Sequence, residues 1–236
     1  MENVTLNIEN FFDKLEFDAK QHRYNVNDLV LPSVSKLLDD FKYPFETDKV
    51  AGFSAEKRGK TKAEILKEWD DKRQEACDRG HRVHDFAEHY MWERDLIPSC
   101  GQEQAVVKFW QEMPDYIVPV VAELKMYHKE FWYAGTADVL LYNKKTNKFI
   151  IVDYKTNEDL FKNYKNKKLK YPFAYLKDSP YNSYQLQLSF YQILFQQINY
   201  VIEDRKIVWL MPNGTYNMYS TEDFTSELQY YLTKRN

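Results

Sequence analysis

The chain lacks most of what would build a stapled, loop-rich or membrane-bound protein. It has two cysteines, Cys77 and Cys100, and no Cys-x-x-Cys pair. That excludes a disulfide framework and points to a reducing compartment. Six glycines in 236 residues argue against a loop-dominated fold. No apolar run approaches membrane-spanning length; the longest, around Tyr116–Leu124, is interrupted by Pro119. The opening residues, Met1-Glu2-Asn3-Val4, lack the basic-then-apolar pattern of a signal peptide. A formal net charge of −3 removes any global electrostatic case for nucleic acid, so such a case must rest on local patches. A soluble, intracellular protein with no membrane partner is expected.

What is present is apolar and aromatic. Hydrophobic residues make up 44%, and the 17% aromatic share includes 19 Tyr and 15 Phe. This suffices for a sizeable core in one domain spanning residues 1–236, with residues 1–53 as an N-terminal extension. Residues Leu15–Leu31 read as small strands, and Ser33 caps a short helix over Val34–Phe41. Helices are expected over Ser54–Trp69, from Asp70 or Asp71 to about Arg94, and over Gln102–Met113, which Pro114 ends. Ile117–His128, Phe131–Tyr142 and Lys148–Thr156 form an antiparallel meander of strands. Tyr184–Tyr200 has a strong helical period, followed by strands Lys206–Met211 and Thr215–Tyr219 and a final helix to about Leu232. Nothing in the extension suggests chemistry, and His22 reads as a surface or packing residue. The fold class is α/β.

The chemistry concentrates near Phe149-Ile150-Ile151-Val152-Asp153-Tyr154-Lys155-Thr156, a strand buried on both faces that runs into an Asp-x-Lys pair. A hairpin symmetric about Lys145-Thr146 sets Asp138 opposite Asp153, and facing carboxylates repel. A bound Mg²⁺ or Mn²⁺ would relieve that repulsion. An ordinary ion pair with Lys155 is the other reading, and these residues alone leave both open. His84 and Glu88 lie one turn apart on a helix and suit either a divalent ion or a mutual hydrogen bond. Gly80, interior to that helix, suggests a close backbone approach. Glu123 on an inner strand is a secondary candidate for a metal, and Gln187 and Tyr191 share a helix face. Residues 158–183 form a basic, aromatic insertion. Lys162, Lys165, Lys167, Lys168 and Lys170 alternate with Tyr164, Tyr171 and Phe173. Lysines neutralise phosphates and aromatic faces stack on unpaired bases; a solvated loop with packed aromatics is the alternative.

In order, the motifs are Gly80-x-x-x-His84-x-x-x-Glu88, Gly135-Thr136-Ala137-Asp138, Asp153-Tyr154-Lys155-Thr156 and Gln187-x-x-x-Tyr191. This arrangement resembles the PD-(D/E)XK nuclease superfamily, in the branch of RecB-like and phage exonucleases. The resemblance implies a restriction-endonuclease-like αβββαβ core with a mixed central sheet flanked by helices. It implies that His84, Asp138, Asp153 and the Tyr154 carbonyl hold one or two Mg²⁺ or Mn²⁺ ions. Lys155, its pKa lowered by a nearby cation, would activate water, while Glu88, Gln187 and Tyr191 support the site. Some relatives carry an iron–sulfur cluster on four cysteines; none follows Cys100 here, so no cluster is expected. The implied function is a metal-dependent DNA nuclease, an exonuclease on ends or single strands in phage recombination, replication or processing. It would work in a bacterial host's cytoplasm, with a helicase or recombination protein as partner. A non-catalytic nucleic-acid-binding module, or a subunit active only within a helicase complex, are the alternatives.

Overall fold

The computed structural model describes residues 2–235. It begins with a helix that the sequence reading lacked, α1 (Glu2–Phe11), whose Ile8 is buried together with Phe12 just beyond its end. Next come three short strands, β1 (Glu16–Asp18), β2 (Arg23–Val26) and β3 (Leu29–Leu31), paired as a separate antiparallel sheet. Ser33 caps α2 (Val34–Leu38) by accepting a hydrogen bond from the Lys36 N–H, as its residue type suggests.

The next helices divide differently from expectation. The chain forms α3 (Thr47–Arg58) and then α4 (Lys62–Trp92), a single helix of 31 residues. The break lies at Gly59, left-handed at φ 62°, and not at Asp70. Gly59 ends one helix in the conformation glycine adopts most readily, and Thr61 with Glu64 starts the next through a reciprocal capping box. Both signals stand in the sequence; Asp70 and Asp71 resemble a start signal, but nothing precedes them to stop the helix.

A short helix, α5 (Gly101–Gln111), leads into the main sheet: β4 (Ile117–Tyr127), β5 (Ala134–Asn143) and β6 (Lys148–Lys155). The crossover α6 (Pro180–Gln196) carries the chain to β7 (Ile202–Leu210), parallel to β6. β8 (Tyr216–Ser220) adds the far edge, and α7 (Thr225–Arg235) follows. The order is β4-β5-β6-β7-β8, a mixed sheet with helices on both faces. Among the described residues no helix is long and apolar enough to cross a membrane.

β6 shows why that sheet is the centre. Phe149 and Ile151 point into one core, shared with α2, α6 and the N-terminal strands. Ile150, Val152 and Tyr154 point into the other, against α4 and α5. Both faces are covered, so the run is apolar throughout instead of alternating. α6 is likewise buried nearly all round, with Leu186, Leu188, Phe190, Ile193, Leu194 and Phe195 inside.

The loop joining β4 to β5 is locked by His128. Its Nδ1 accepts the backbone N–H groups of Glu130 and Phe131 at 3.2 and 3.1 Å, which requires that nitrogen to carry no proton. Burial pushes the imidazole down to about 4. The unfolded chain therefore binds more protons than the folded one below the ordinary value of 6.5. Stability should fall as pH drops from 6.5 towards about 4. In urea titrations His128→Asn, which keeps an acceptor but cannot titrate, is expected to show a shallower loss over that window.

Candidate functional site

The hydrophobic register delivers the acids together. β5 and β6 pair through Val139↔Val152, and one further step along that register sets Asp138 opposite Asp153, as the hairpin symmetry predicts. There the strands part. The Tyr154 N–H donates to the Asp138 carboxylate at 2.6 Å, so a side chain takes over where the ladder ends. From α4, His84 brings Nδ1 to 3.4 Å from the same Asp138 oxygen. Asp153, 1% exposed, is ion-paired with Lys155, whose ammonium also lies 4.3 Å from the Tyr184 ring centroid.

The third acid comes from β4. Its pairing with β5 runs Ala122↔Val139 and Leu124↔Ala137, which brackets Glu123 against Asp138. Glu123 has φ 48°, a left-handed backbone that costs a side-chain-bearing residue about 1–2 kcal/mol. Among the described residues its carboxylate has no hydrogen-bond or ion-pair partner. Ligand atoms of His84, Glu123 and Asp138 lie within 4.8 Å of one another and could hold a metal ion. Asp153, expected as a ligand, is not part of that trio; its carboxylate is taken by Lys155. The secondary candidate Glu123 stands in its place. Tyr154 contributes its backbone N–H to Asp138, and its ring lies in the core beneath α5.

Electrostatics follow from this crowding. Burial opposes a charged His84, but attraction to Asp138 and a hydrogen bond donated to its carboxylate outweigh it and push the imidazole up to about 9. Burial also opposes ionised Asp138, yet His84, Lys155 and the Tyr154 N–H hold it below the usual carboxylate range. For Glu123, burial first and then the Asp138 charge outweigh the attraction of His84 and Lys125 and push it up to about 8. For Asp153, burial outweighs the attraction of Lys155 and raises it to about 6. Lys155 loses to burial but gains more from Asp153 and Asp138, so its pKa is raised. The lowered value expected from sequence belongs to an ion-bound site; without an ion the protein's own groups keep the ammonium protonated.

These residues open onto a cleft of about 830 Å³. His84, Glu88, Glu123, Asp138, Gln187 and Tyr191 all line it, while Asp153 and Lys155 sit behind them. The Gln187 amide donates to the Tyr191 hydroxyl at 2.6 Å. Burial, then the charges of Asp153 and Asp138, hold that hydroxyl protonated, well above its ordinary value. Gly135 is needed for this: a Cβ there would stand 2.7 Å from the Tyr191 ring and 2.9 Å from Val34. Gly80 is different. A Cβ there would meet only Thr156 Oγ1 at 3.7 Å, an ordinary contact, so no protein neighbour demands glycine. Glu88 makes no bond to His84, which turns to Asp138 instead.

Two expectations about the surroundings change. The N-terminal extension, read as chemically silent, forms a wall of the cleft through Phe17, His22 and Tyr24. The basic insertion contributes none of that lining. Lys162 and Tyr164 border a separate groove, and Lys167 and Lys170 lie over the rings of Phe45 and Tyr43. Lys165 sits over Tyr164, Lys168 is exposed, and Tyr171 is 80% exposed. Phe173, expected to stack on a base, is fully buried against Phe41 and Phe224 and offers no face to a ligand.

Two outcomes follow. In chelator, the folded state keeps a proton on Glu123 that the unfolded chain releases above 4.5, so stability should decline as pH rises towards about 8. Glu123→Gln should flatten that part of the profile, measured by urea unfolding at stepped pH. Gly80→Ala should raise stability by roughly 0.5–1 kcal/mol, since it adds helix propensity without a clash; a lower urea midpoint would contradict the open space seen there.

No family model matches the chain, and no curated protein matches it. Among solved structures, the chain is similar to one described as "Crystal structure of SSO0001", at 17% sequence identity and a TM-score of 0.29. That likeness covers 48% of this chain and 46% of the other, so it spans less than half of either.

Proposed function

We propose that the chain is a Mg²⁺- or Mn²⁺-dependent DNA nuclease of the PD-(D/E)XK type. The observation that carries the reading is the convergence of His84, Glu123 and Asp138 in front of a buried Asp153–Lys155 pair. A binding module gains nothing from an unpartnered, half-buried Glu123 facing a second acid. The succession of helix, antiparallel meander, crossover helix and parallel strand agrees with the αβββαβ core that the reading requires.

The donor set fits a hard divalent cation: two carboxylates and an imidazole, with Glu123 held protonated up to about 8 by burial and Asp138, so that a bound ion would displace its proton. His84, Glu123 and Asp138 would hold it. A bound divalent ion supplies charge to the phosphodiester and a lowered pKa to water. The remaining roles belong to the chain. Asp153 fixes Lys155, and Lys155, kept protonated, offers a positive charge to phosphate oxygens as negative charge builds in the transition state. Gln187 and Tyr191 reach the cleft as neutral donors that position the substrate backbone.

The test is incubation of the purified chain with labelled single-stranded and duplex DNA and Mg²⁺ or Mn²⁺. Wild type should cleave, and Asp138→Asn and Lys155→Ala should each be slower by at least about a hundredfold. Lys155→Arg should retain much of the rate with an unshifted pH profile, because the residue acts as a cation and not as a base. Mn²⁺ should raise the stability of wild type, by about 2.7 kcal/mol at a hundred times Kd, and not that of Asp138→Asn. Tight DNA binding without cleavage, with or without the ion, would make the chain a binding module instead.

A further inference from the structure

The wall of the cleft opposite α4 is aromatic. Phe17 packs on Tyr24 with ring centroids 4.7 Å apart, and His22 meets Phe17 edge-on at 5.2 Å. Tyr24 ties this group to the sheet that bears the acids: its hydroxyl lies 2.8 Å from Thr136 Oγ1, two residues before Asp138. Lys125, exposed on β4 and paired in register with Thr136, places its ammonium 5.9 Å from the Phe17 ring. The turn between β1 and β2 is braced, because Asp18 Oδ1 accepts the N–H groups of Lys20 and Gln21 at 2.9 and 3.1 Å. His22 closes that turn at φ 50°, a region side-chain-bearing residues seldom adopt, and its side chain is exposed at the cleft. The His22 ring also meets Tyr24 edge-on, with centroids 6.2 Å apart.

We propose that Phe17 and His22, with Lys125 beside them, form a stacking platform for an unpaired base, so that single-stranded DNA is the substrate class of the adjoining site. This deepens the proposed function and rests on it. In a duplex both faces of every base are covered by neighbours, and only an unpaired base can exchange a neighbour for a protein ring. Such stacking tolerates any sequence, and it is worth roughly tenfold or more in affinity per base. A lysine at the platform's edge neutralises a flanking phosphate. Tyr24, buried and bonded to Thr136, serves as the anchor and not as a stacking face.

The test is fluorescence anisotropy with labelled oligothymidylate and a blunt hairpin duplex, in Ca²⁺, using wild type, His22→Ala and Phe17→Ala/His22→Ala. His22 is exposed, so its variant should fold; circular dichroism and Tm check both. The double variant should bind oligothymidylate at least tenfold more weakly, His22→Ala should show part of that loss, and duplex affinity should stay unchanged. Phe17→Trp should bind oligothymidylate as well as wild type or better. Unchanged oligothymidylate binding in folded variants, or equal losses for strand and duplex, would overturn the platform. If wild type cleaves DNA while the variants keep its strand preference, the platform fails and the nuclease reading stands. If cleavage is absent but the aromatic dependence appears, the nuclease reading fails and the platform stands.

Discussion

The arrangement depends on like charges held close together in a partly buried place. Glu123, Asp138 and Asp153 arrive from three adjacent strands, and their repulsion must be met by something. Two cations meet most of it: His84 answers Asp138, and Lys155 answers Asp153. Glu123 is left over, and it lies in a strained backbone as well. At about 4 Å, two charges in a semi-buried setting interact by several kcal/mol. A folded protein tolerates such a residue only where the rest of the sheet overdetermines its position.

The sheet does overdetermine it. β6 is buried on both faces, so a slip of one residue would exchange the residues facing its two cores. β5 is held between β4 and β6, and α6 lies close enough that Gly135 cannot bear a side chain beside Tyr191. The end of the β4–β5 pair nearer the acids is closed by His128, whose imidazole must stay neutral to accept two backbone donors. The acids are therefore presented by a rigid scaffold, with His84 delivered from the C-terminal third of a 31-residue helix.

What was legible in the sequence was local. A four-residue apolar run ending in Asp153, a polar turn, and a second apolar run holding Asp138 fix a hairpin register by arithmetic, and the pairing follows it. The spacing of Gln187 and Tyr191 likewise predicts one helix face, and their side chains are bonded there. What escaped was tertiary. Glu123 faces Asp138 only because β4 takes an irregular register at Pro119/Val121 and a left-handed residue interrupts the ladder. No periodicity announces either event. The aromatic insertion misled in one respect, since alternating Lys and aromatic residues do not reveal which rings face inward. Phe173 went to the core, while the aromatic side chains beside the acids came from β1, the β1–β2 turn and β2, over a hundred residues upstream of Asp138.

The charge balance bears on how such a site would take a polyanion. A chain of net charge −3 whose cleft is lined by Asp85, Glu88, Glu123 and Asp138 offers phosphates little attraction without a bound cation. On the proposed reading, the free energy that Glu123 and Asp138 lose by mutual repulsion becomes a preference for a divalent cation. By linkage, whatever factor the cation adds to DNA affinity, DNA must add to cation affinity. The same logic explains why Lys155 is buried behind the trio instead of placed among it. Beside Glu123 it would pair with that acid; behind Asp138 it keeps Asp153 paired and leaves Glu123 at the front of the cleft without an ion-pair partner among the described residues.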